Sequence, residues 1–309
     1  MQISKVLTFI FLVTGISSSA QQKQVCITVD DLPVVSYGKP TQAFLEEVTT
    51  KLIATFDRYS IPAIGYVNEK KLYEKNKVDT DKVHLLDLWL TSGYELGNHT
   101  YSHPSYHRTS FDDFTQDVMK GEMVTRPLAI THGKDLKYFR HPYLQIGKSK
   151  GAADSLSSFL ESKGYTEAPV TIDPDDYLFA KAYQTALNKQ DSVLAREVGQ
   201  AYLNHMESKI DFYESVSMQL FGRSIAQTLL IHANLLNANY LDEVAELFKK
   251  KGYAFVSQQE VLLDSAYKTP ITKFGNWGIS WMDRWAISQE EYDLLKSDPL
   301  VPDFISGSK

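Results

Sequence analysis

The chain has 309 residues, of which 43% are hydrophobic and 23% are charged. These proportions are typical of a soluble globular protein and exclude fibrous and disordered classes. The formal net charge is −6 and acidic and basic residues are interleaved, so no basic stripe exists to neutralise a phosphate backbone and we expect no nucleic-acid partner.

The first twenty residues differ from the rest of the chain. Lys5 precedes an apolar run from Val6 to Val13, and the small residues Ser17–Ala20 follow it. This order is typical of a cleavable signal peptide, and the run is shorter than the roughly 20 residues that span a bilayer. We therefore expect cleavage after Ala20, export to the periplasm or the medium, and no membrane-spanning segment in the mature protein.

From residue 21 to residue 309, short apolar runs alternate with longer helical patterns, which predicts βα units around a mainly parallel sheet in one barrel-like domain. The seven predicted strands lie near Val25–Val29, Ala63–Val67, Tyr94–Gly97, Tyr138–Arg140, Thr166–Ile172, Thr228–Ile231 and Tyr253–Val256.

Several segments between the strands have helical patterns. Leu45, Val48, Leu52 and Phe56 recur at spacings of three and four, which predicts a helix with one apolar face, and residues 111–123 predict a second helix capped by Ser110. Residues 177–223 predict a helical insertion before the sixth strand. The tail from residue 266 to 309 fits no βα unit.

Polar groups follow the first and third predicted strands. Asp30 and Asp31 come directly after the first strand, and His99 and His103 follow the third. The ordinary interpretations are a turn for the two aspartates and a chance pairing for the histidines. The carboxyl ends of parallel strands are where ligands bind, however, and two imidazoles with one carboxylate form a three-ligand metal site with open positions.

Later strand ends carry polar groups as well. Arg140-His141-Pro142-Tyr143 follows the fourth strand, Asp173-Pro174-Asp175-Asp176-Tyr177 follows the fifth, and His232 ends the sixth. A single histidine after an apolar strand is more often structural than catalytic. Because every one of these strands delivers such groups at the same end, the whole set predicts an active site.

In this order the motifs resemble those of the polysaccharide deacetylases, family 4 of the carbohydrate esterases, over roughly Val25 to Val256. The resemblance implies a distorted (β/α)7 barrel with Asp31, His99 and His103 as metal ligands. It implies roles for five further residues: Asp30 as general base, Arg140 as the group that orients it, Tyr143 as an oxyanion donor through its backbone N–H, His232 as general acid and Asp176 as the carboxylate that tunes the acid.

The expected metal is divalent, with zinc first because a mixed nitrogen and oxygen ligand set suits it, and cobalt or nickel as alternatives. The expected reaction is deacetylation of an acetylated carbohydrate, at N-acetyl groups in preference to O-acetyl groups. Leu32, Val29 and Tyr177 depart from the usual family motifs, which leaves the substrate open. A metal amidohydrolase of small non-sugar amides and an inactive carbohydrate-binding relative are the alternatives.

Two other features predict structure rather than chemistry. The single cysteine, Cys26, lies in an apolar strand, which favours a buried thiol without a catalytic role. Trp277, Trp281 and Trp285 in the tail would share one face of a helix. Such a face could bind a sugar ring or dock the tail onto the barrel, and docking is favoured because tryptophans at helical spacing most often serve packing.

Overall fold

The computed structural model describes residues 22–307. Its strands, numbered along the chain, are β1 Lys23–Leu32, β2 Ile64–Val67, β3 Tyr73–Glu74, β4 Lys77–Val78, β5 Glu95–Asn98, β6 Tyr138–Phe139, β7 Thr166–Glu167, β8 Gln227–His232 and β9 Tyr253–Phe255. Its α-helices are α1 Gln42–Tyr59, α2 Thr80–Thr91, α3 Phe111–Lys120, α4 Thr125–Thr131, α5 Lys150–Ser162, α6 Asp176–Asn188, α7 Ser192–Phe221, α8 Leu235–Lys250, α9 Gln258–Val261, α10 Trp281–Ser288 and α11 Asp303–Ser306. Short 3₁₀ helices span Glu69–Leu72, Pro142–Leu144, Ser265–Lys268 and Tyr292–Ser297.

Seven of the strands form one parallel sheet in the order β7-β6-β5-β2-β1-β8, with β9 paired to the start of β1. The sheet curls into a half-barrel, so the predicted α/β fold with seven strands is confirmed. The hydrophobic positions of α1 face this sheet, and Val48, Leu52 and Phe56 are fully buried. Ser110 caps α3 as predicted, with its side chain accepting a hydrogen bond from the N–H of Asp113.

The predicted fifth strand, Thr166–Ile172, is wrong in its middle. Only Thr166 and Glu167 pair with β6, whereas Ile172 forms an isolated bridge with Leu229 of β8. Pro169 lies between the two paired stretches and has no N–H to donate to a strand ladder, so regular pairing ends before it. The chain then crosses towards β8. There the backbone N–H groups of Thr171 and Ile172 donate to the Thr228 carbonyl oxygen, so parallel pairing resumes next to β8.

Two helices, α6 and α7, fill the segment before β8, which agrees with the predicted helical insertion. The antiparallel pair β3–β4 was not predicted. Its turn consists of Lys75 and Asn76, both with left-handed φ values, 50° and 62°, a conformation that suits tight hairpins.

The predicted tryptophan face of the tail is wrong in part. Ser280 caps α10, so the helix begins at Trp281 and Trp277 lies outside it. Trp281 and Trp285 are 6% and 0% exposed, which identifies them as packing residues. Cys26 is a fully buried free thiol, as expected.

The predicted signal peptide lies outside the described residues. Among residues 22–307, no helix combines the length and the apolar composition that crossing a bilayer requires.

Candidate active site

The carboxyl ends of the parallel strands surround a pocket of about 510 Å³. Every strand end singled out from the sequence contributes to it. The lining residues include Asp30, Asp31, His99, His103, Tyr143, Asp173, Asp175, Tyr177 and His232. Arg140 and Asp176 lie directly behind this lining, where they contact Asp30 and His232 respectively.

Neighbouring residues of a regular strand point to opposite faces, yet Asp30 and Asp31 both line the pocket. The pairing of β1 with β2 shifts register between Val29 and Leu32, and Asp31 has a left-handed φ of 66°. This bulge at the end of β1 turns the second carboxylate towards the same side as the first.

The other loops at this edge of the sheet contain left-handed residues too, among them Thr100, His103, Tyr143 and Asp175. This conformation costs a residue other than glycine roughly 1–2 kcal/mol. It is maintained where surrounding contacts determine it, and such residues cluster at functional sites.

Asp31, His99 and His103 form the candidate metal centre. One ligand atom from each lies within 4.8 Å of the others. Asp31 Oδ1 is 3.8 Å from His99 Nε2 and 3.9 Å from His103 Nε2, and it has no hydrogen-bond partner among residues 22–307. A buried carboxylate oxygen without a donor, facing two imidazole nitrogens, fits a divalent metal bound between them.

The protonation of these groups also suits metal binding. His99 Nδ1 donates to the Arg140 carbonyl oxygen at 2.8 Å, and because a carbonyl can only accept, this tautomer leaves the lone pair of Nε2 free. Burial lowers the pKa of His99 and of His103, so both rings are neutral near pH 7. Burial would raise the pKa of Asp31, but the Lys71 ammonium and the two imidazoles hold that pKa far below its usual value.

Lys71 was not identified from the sequence. Its ammonium donates to the Asp31 carbonyl oxygen at 2.8 Å and lies 3.4 Å from Asp31 Oδ2, whereas the contacts with the two histidines are made by Oδ1. Lys71 belongs to a 3₁₀ helix after β2, outside every strand-end motif, so no sequence pattern indicated it.

Asp30 lies beside the metal centre with Arg140 behind it. Asp30 is 2% exposed, and its Oδ1 is 3.9 Å from Nε of the fully buried Arg140. Arg140 also donates to Thr28 Oγ1 at 2.9 Å and packs over the ring of Tyr66. Burial raises the pKa of Asp30 to about 6, with the Arg140 charge opposing the rise, so the carboxylate is a weak base that is ionised near neutral pH.

His232 and Asp176 form a hydrogen-bonded pair in the same pocket. His232 Nδ1 donates to Asp176 Oδ1 at 2.7 Å, which leaves Nε2 available to a ligand in the pocket. Burial would lower the pKa of His232, but the Asp176 carboxylate raises it to about 9, so the ring is an imidazolium at neutral pH.

Asp176 is in turn held by groups that the sequence did not indicate. Its Oδ2 accepts hydrogen bonds from the His232 N–H and from the side-chain amides of Asn234 and Asn237, at 3.0, 3.0 and 2.6 Å. Asn234 has a local signal as the N-cap of α8, but only the folded chain shows that it also serves Asp176.

One departure from the family motif has a structural counterpart. Leu32, one of the three departures named above, is fully buried, and its Cδ1 would lie 2.1 Å from a Cβ added to Gly65. The absence of a side chain at Gly65 on the neighbouring strand therefore makes room for Leu32.

Fold and site together define an α/β half-barrel protein with a candidate metal centre and flanking acid and base groups at the carboxyl ends of its strands. Residues 17–158 match the family model for polysaccharide deacetylases. This stretch contains the three candidate metal ligands and, in addition, Asp30, Arg140 and Tyr143. The matched stretch, just under half of the chain, is similar to the polysaccharide deacetylases, family 4 of the carbohydrate esterases.

Solved structures of this family share the fold. The pseudoenzyme BA3943 from Bacillus anthracis is 16% identical, with 78% of this chain and 66% of that chain covered and a TM-score of 0.52. The peptidoglycan N-acetylglucosamine deacetylase Bc1960 is 17% identical, with 78% and 88% covered and a TM-score of 0.51. The polysaccharide deacetylase Bc1974 from Bacillus cereus is 17% identical, with 76% and 92% covered and a TM-score of 0.50. No significantly similar sequence was found among curated proteins.

Proposed function

We propose that the protein is a metal-dependent deacetylase that hydrolyses acetyl groups on a carbohydrate, with N-acetyl groups preferred to O-acetyl groups. One observation carries the proposal: a base, Asp30, and an acid, His232, flank the same three-ligand cluster of Asp31, His99 and His103. An inactive relative would not need this complete set in one pocket.

A divalent metal held by Asp31, His99 and His103, with zinc expected and cobalt or nickel as alternatives, supplies Lewis acidity that makes water a stronger acid and the acetyl carbon a better electrophile. Asp30 removes the proton from the attacking water, and the charge of Arg140, 3.9 Å away, stabilises and orients the ionised carboxylate. The backbone N–H of Tyr143 donates to the developing oxyanion. His232 then gives its Nε2 proton to the departing amine or alcohol, while Asp176 keeps the ring oriented.

The pKa values of the two proton-transfer groups suit these roles. With Asp30 near 6 and His232 near 9, a carboxylate and an imidazolium coexist between these pH values. Both groups therefore have the required protonation state at neutral pH without prior proton exchange.

Aromatic side chains at the mouth of the pocket support a carbohydrate substrate. Tyr143 and Tyr177 are 55% and 47% exposed while lining the pocket, and Tyr37 lies beside them, with its hydroxyl donating to the Tyr177 carbonyl oxygen. Exposed rings of this kind present flat apolar faces with polar edges, which suit sugar rings better than small amides.

Acetate release tests the proposal. The purified protein with zinc, cobalt or nickel would be incubated with chitin oligomers, peptidoglycan and acetylated xylan, and with small acetamides as the competing substrate class. The expected result is acetate from at least one glycan and none from the Asp30→Asn variant. Release from small amides alone would favour the amidohydrolase alternative, and no release from any substrate would favour the inactive one.

We also propose export to the periplasm or the medium, supported by the apolar run Val6–Val13 and the small residues before Gln21. N-terminal sequencing of the protein from its native cells would test this, since the expected mature chain begins at Gln21.

A further inference from the structure

The C-terminal tail reaches the active-site pocket, although it follows the last strand of the sheet and fits no βα unit. Gly278 lines the pocket beside Tyr143. The backbone N–H of Trp281, also in the tail, donates to the Val170 carbonyl oxygen at 2.7 Å and so joins the tail to the segment before α6.

The tail contacts the turn that carries Tyr143. Tyr143 and Leu144 have consecutive left-handed φ values of 56° and 51°, so this turn depends on its surroundings. The guanidinium of Arg284, which is 1% exposed, donates through Nη2 to the Leu144 carbonyl oxygen at 2.7 Å. The same nitrogen donates to the Trp277 carbonyl oxygen at 3.3 Å, so Arg284 joins the turn to the tail.

Gly278 allows the closest approach between the two segments. A Cβ added at Gly278 would lie 2.3 Å from the Tyr143 carbonyl oxygen, much closer than real atoms approach. Gly278 does not have a left-handed φ, so alanine fits its backbone and the obstacle is the Tyr143 carbonyl alone. The carbonyl belongs to Tyr143, and in the proposed function the backbone N–H of Tyr143 donates to the oxyanion.

We propose that the tail is part of the active site, with Gly278 and Arg284 acting as positioning residues that fix the Tyr143 turn in the geometry for oxyanion binding. This inference rests on the proposed deacetylase function for its kinetic consequence, whereas its structural consequence can be measured without it. Neither residue touches the reacting atoms.

The experiment compares Gly278→Ala, Arg284→Met and Arg284→Lys with a matched control, Gly151→Ala. An added Cβ at Gly151 meets no atom within 4 Å, so the control is the same substitution without an obstacle. Each full-length, metal-loaded variant is assayed for kcat and KM, for thermal stability, and for hydrogen–deuterium exchange in the peptide covering residues 140–147.

Gly278→Ala is expected to speed exchange in that peptide and to lower kcat by about tenfold or more with little change in KM, because displacing a catalytic group by 1 Å costs up to about 10²-fold. Arg284→Met should do the same, and Arg284→Lys should restore part of the loss because it keeps one donor and the charge. Gly151→Ala should resemble the wild type in kcat, KM and exchange of that peptide, and because Gly151 lies in α5 its thermal stability should be equal or slightly higher.

The inference is overturned if Gly278→Ala matches Gly151→Ala in both exchange and kcat, or if kcat falls without faster exchange in the 140–147 peptide. If Arg284→Met fails to fold, Gly278→Ala and Arg284→Lys decide the question. A wild type without deacetylase activity refutes the proposed function, and the exchange measurement then decides whether the tail fixes the turn.

Discussion

Asp30 and His232 are register partners, paired across the adjacent parallel strands β1 and β8. The proposed base and the proposed acid therefore approach the pocket from neighbouring backbone positions at the same end of the sheet. Their separation depends on strand pairing rather than on loop conformation, which makes it one of the more rigid dimensions of the site.

The first prediction concerns the metal ligands. His99→Ala and His103→Ala should each lower affinity for zinc by more than about 100-fold, since even loss of an outer-sphere partner costs 10–100-fold. Metal content after dialysis and titration calorimetry measure this. His84→Ala, on the exposed face of α2, is the control because its ring pairs with Asp87 of the same helix and does not line the pocket. Full metal occupancy in the double variant His99→Ala/His103→Ala would refute the ligand assignment.

The second prediction separates the two neighbouring aspartates. Asp30→Asn should retain the metal and lose about 10²-fold or more in kcat, the usual scale for a general base. Asp31→Asn should weaken metal binding, because an amide oxygen lacks the negative charge that Asp31 presents to the cation. Metal analysis and initial rates on the same preparations test both statements, and equal metal loss in the two variants would contradict them.

The strand-end residues show how much of this site the sequence could predict. Parallel strands bring their carboxyl ends together, so Asp30, His99 and His232 could be assigned to one edge from the strand pattern alone. The assignment needed no exact strand bounds, and the error in the fifth strand, where Pro169 interrupts pairing, did not affect Asp173 or Asp175, which still line the pocket.

The supporting residues could not be predicted in the same way. Lys71, Asn237 and Arg284 reach the site through contacts between segments that are distant in sequence, at separations of 40, 61 and 140 residues from Asp31, Asp176 and Leu144. A local pattern carries no signal for such contacts. The same limitation explains why the tail was interpreted only as a tryptophan-bearing segment.

The third prediction concerns pH. Activity needs Asp30 ionised and His232 protonated, so kcat/KM should rise with pH through about 6 and fall through about 9. In Asp176→Asn the imidazolium loses the anion that stabilises it, the pKa of His232 falls, and the alkaline limb should move to lower pH by about one unit or more. The pH profile of kcat/KM measures both limbs.

Asp112→Asn, on the exposed start of α3, is the control for that profile, since it removes one carboxylate without touching the His232 pair. The acidic limb should stay nearly in place in Asp176→Asn, because burial and Arg140 have the largest effects on the pKa of Asp30. An alkaline limb that does not move would mean that His232 is not the group that titrates there.

The last prediction distinguishes packing from sugar binding in the tail. Trp281 is 6% exposed, and its ring lies 6.0 Å from that of His141. Trp281→Ala should therefore lower the free energy of unfolding by about 3–5 kcal/mol, the usual cost of removing a large buried aromatic side chain. Urea denaturation measures the loss, and KM for long glycans should stay close to the wild-type value.

Trp277→Ala is the matched comparison, because Trp277 is only partly buried and precedes α10, so its removal should cost less stability. A raised KM for long glycans together with unchanged stability in Trp281→Ala would instead identify Trp281 as a sugar-binding residue.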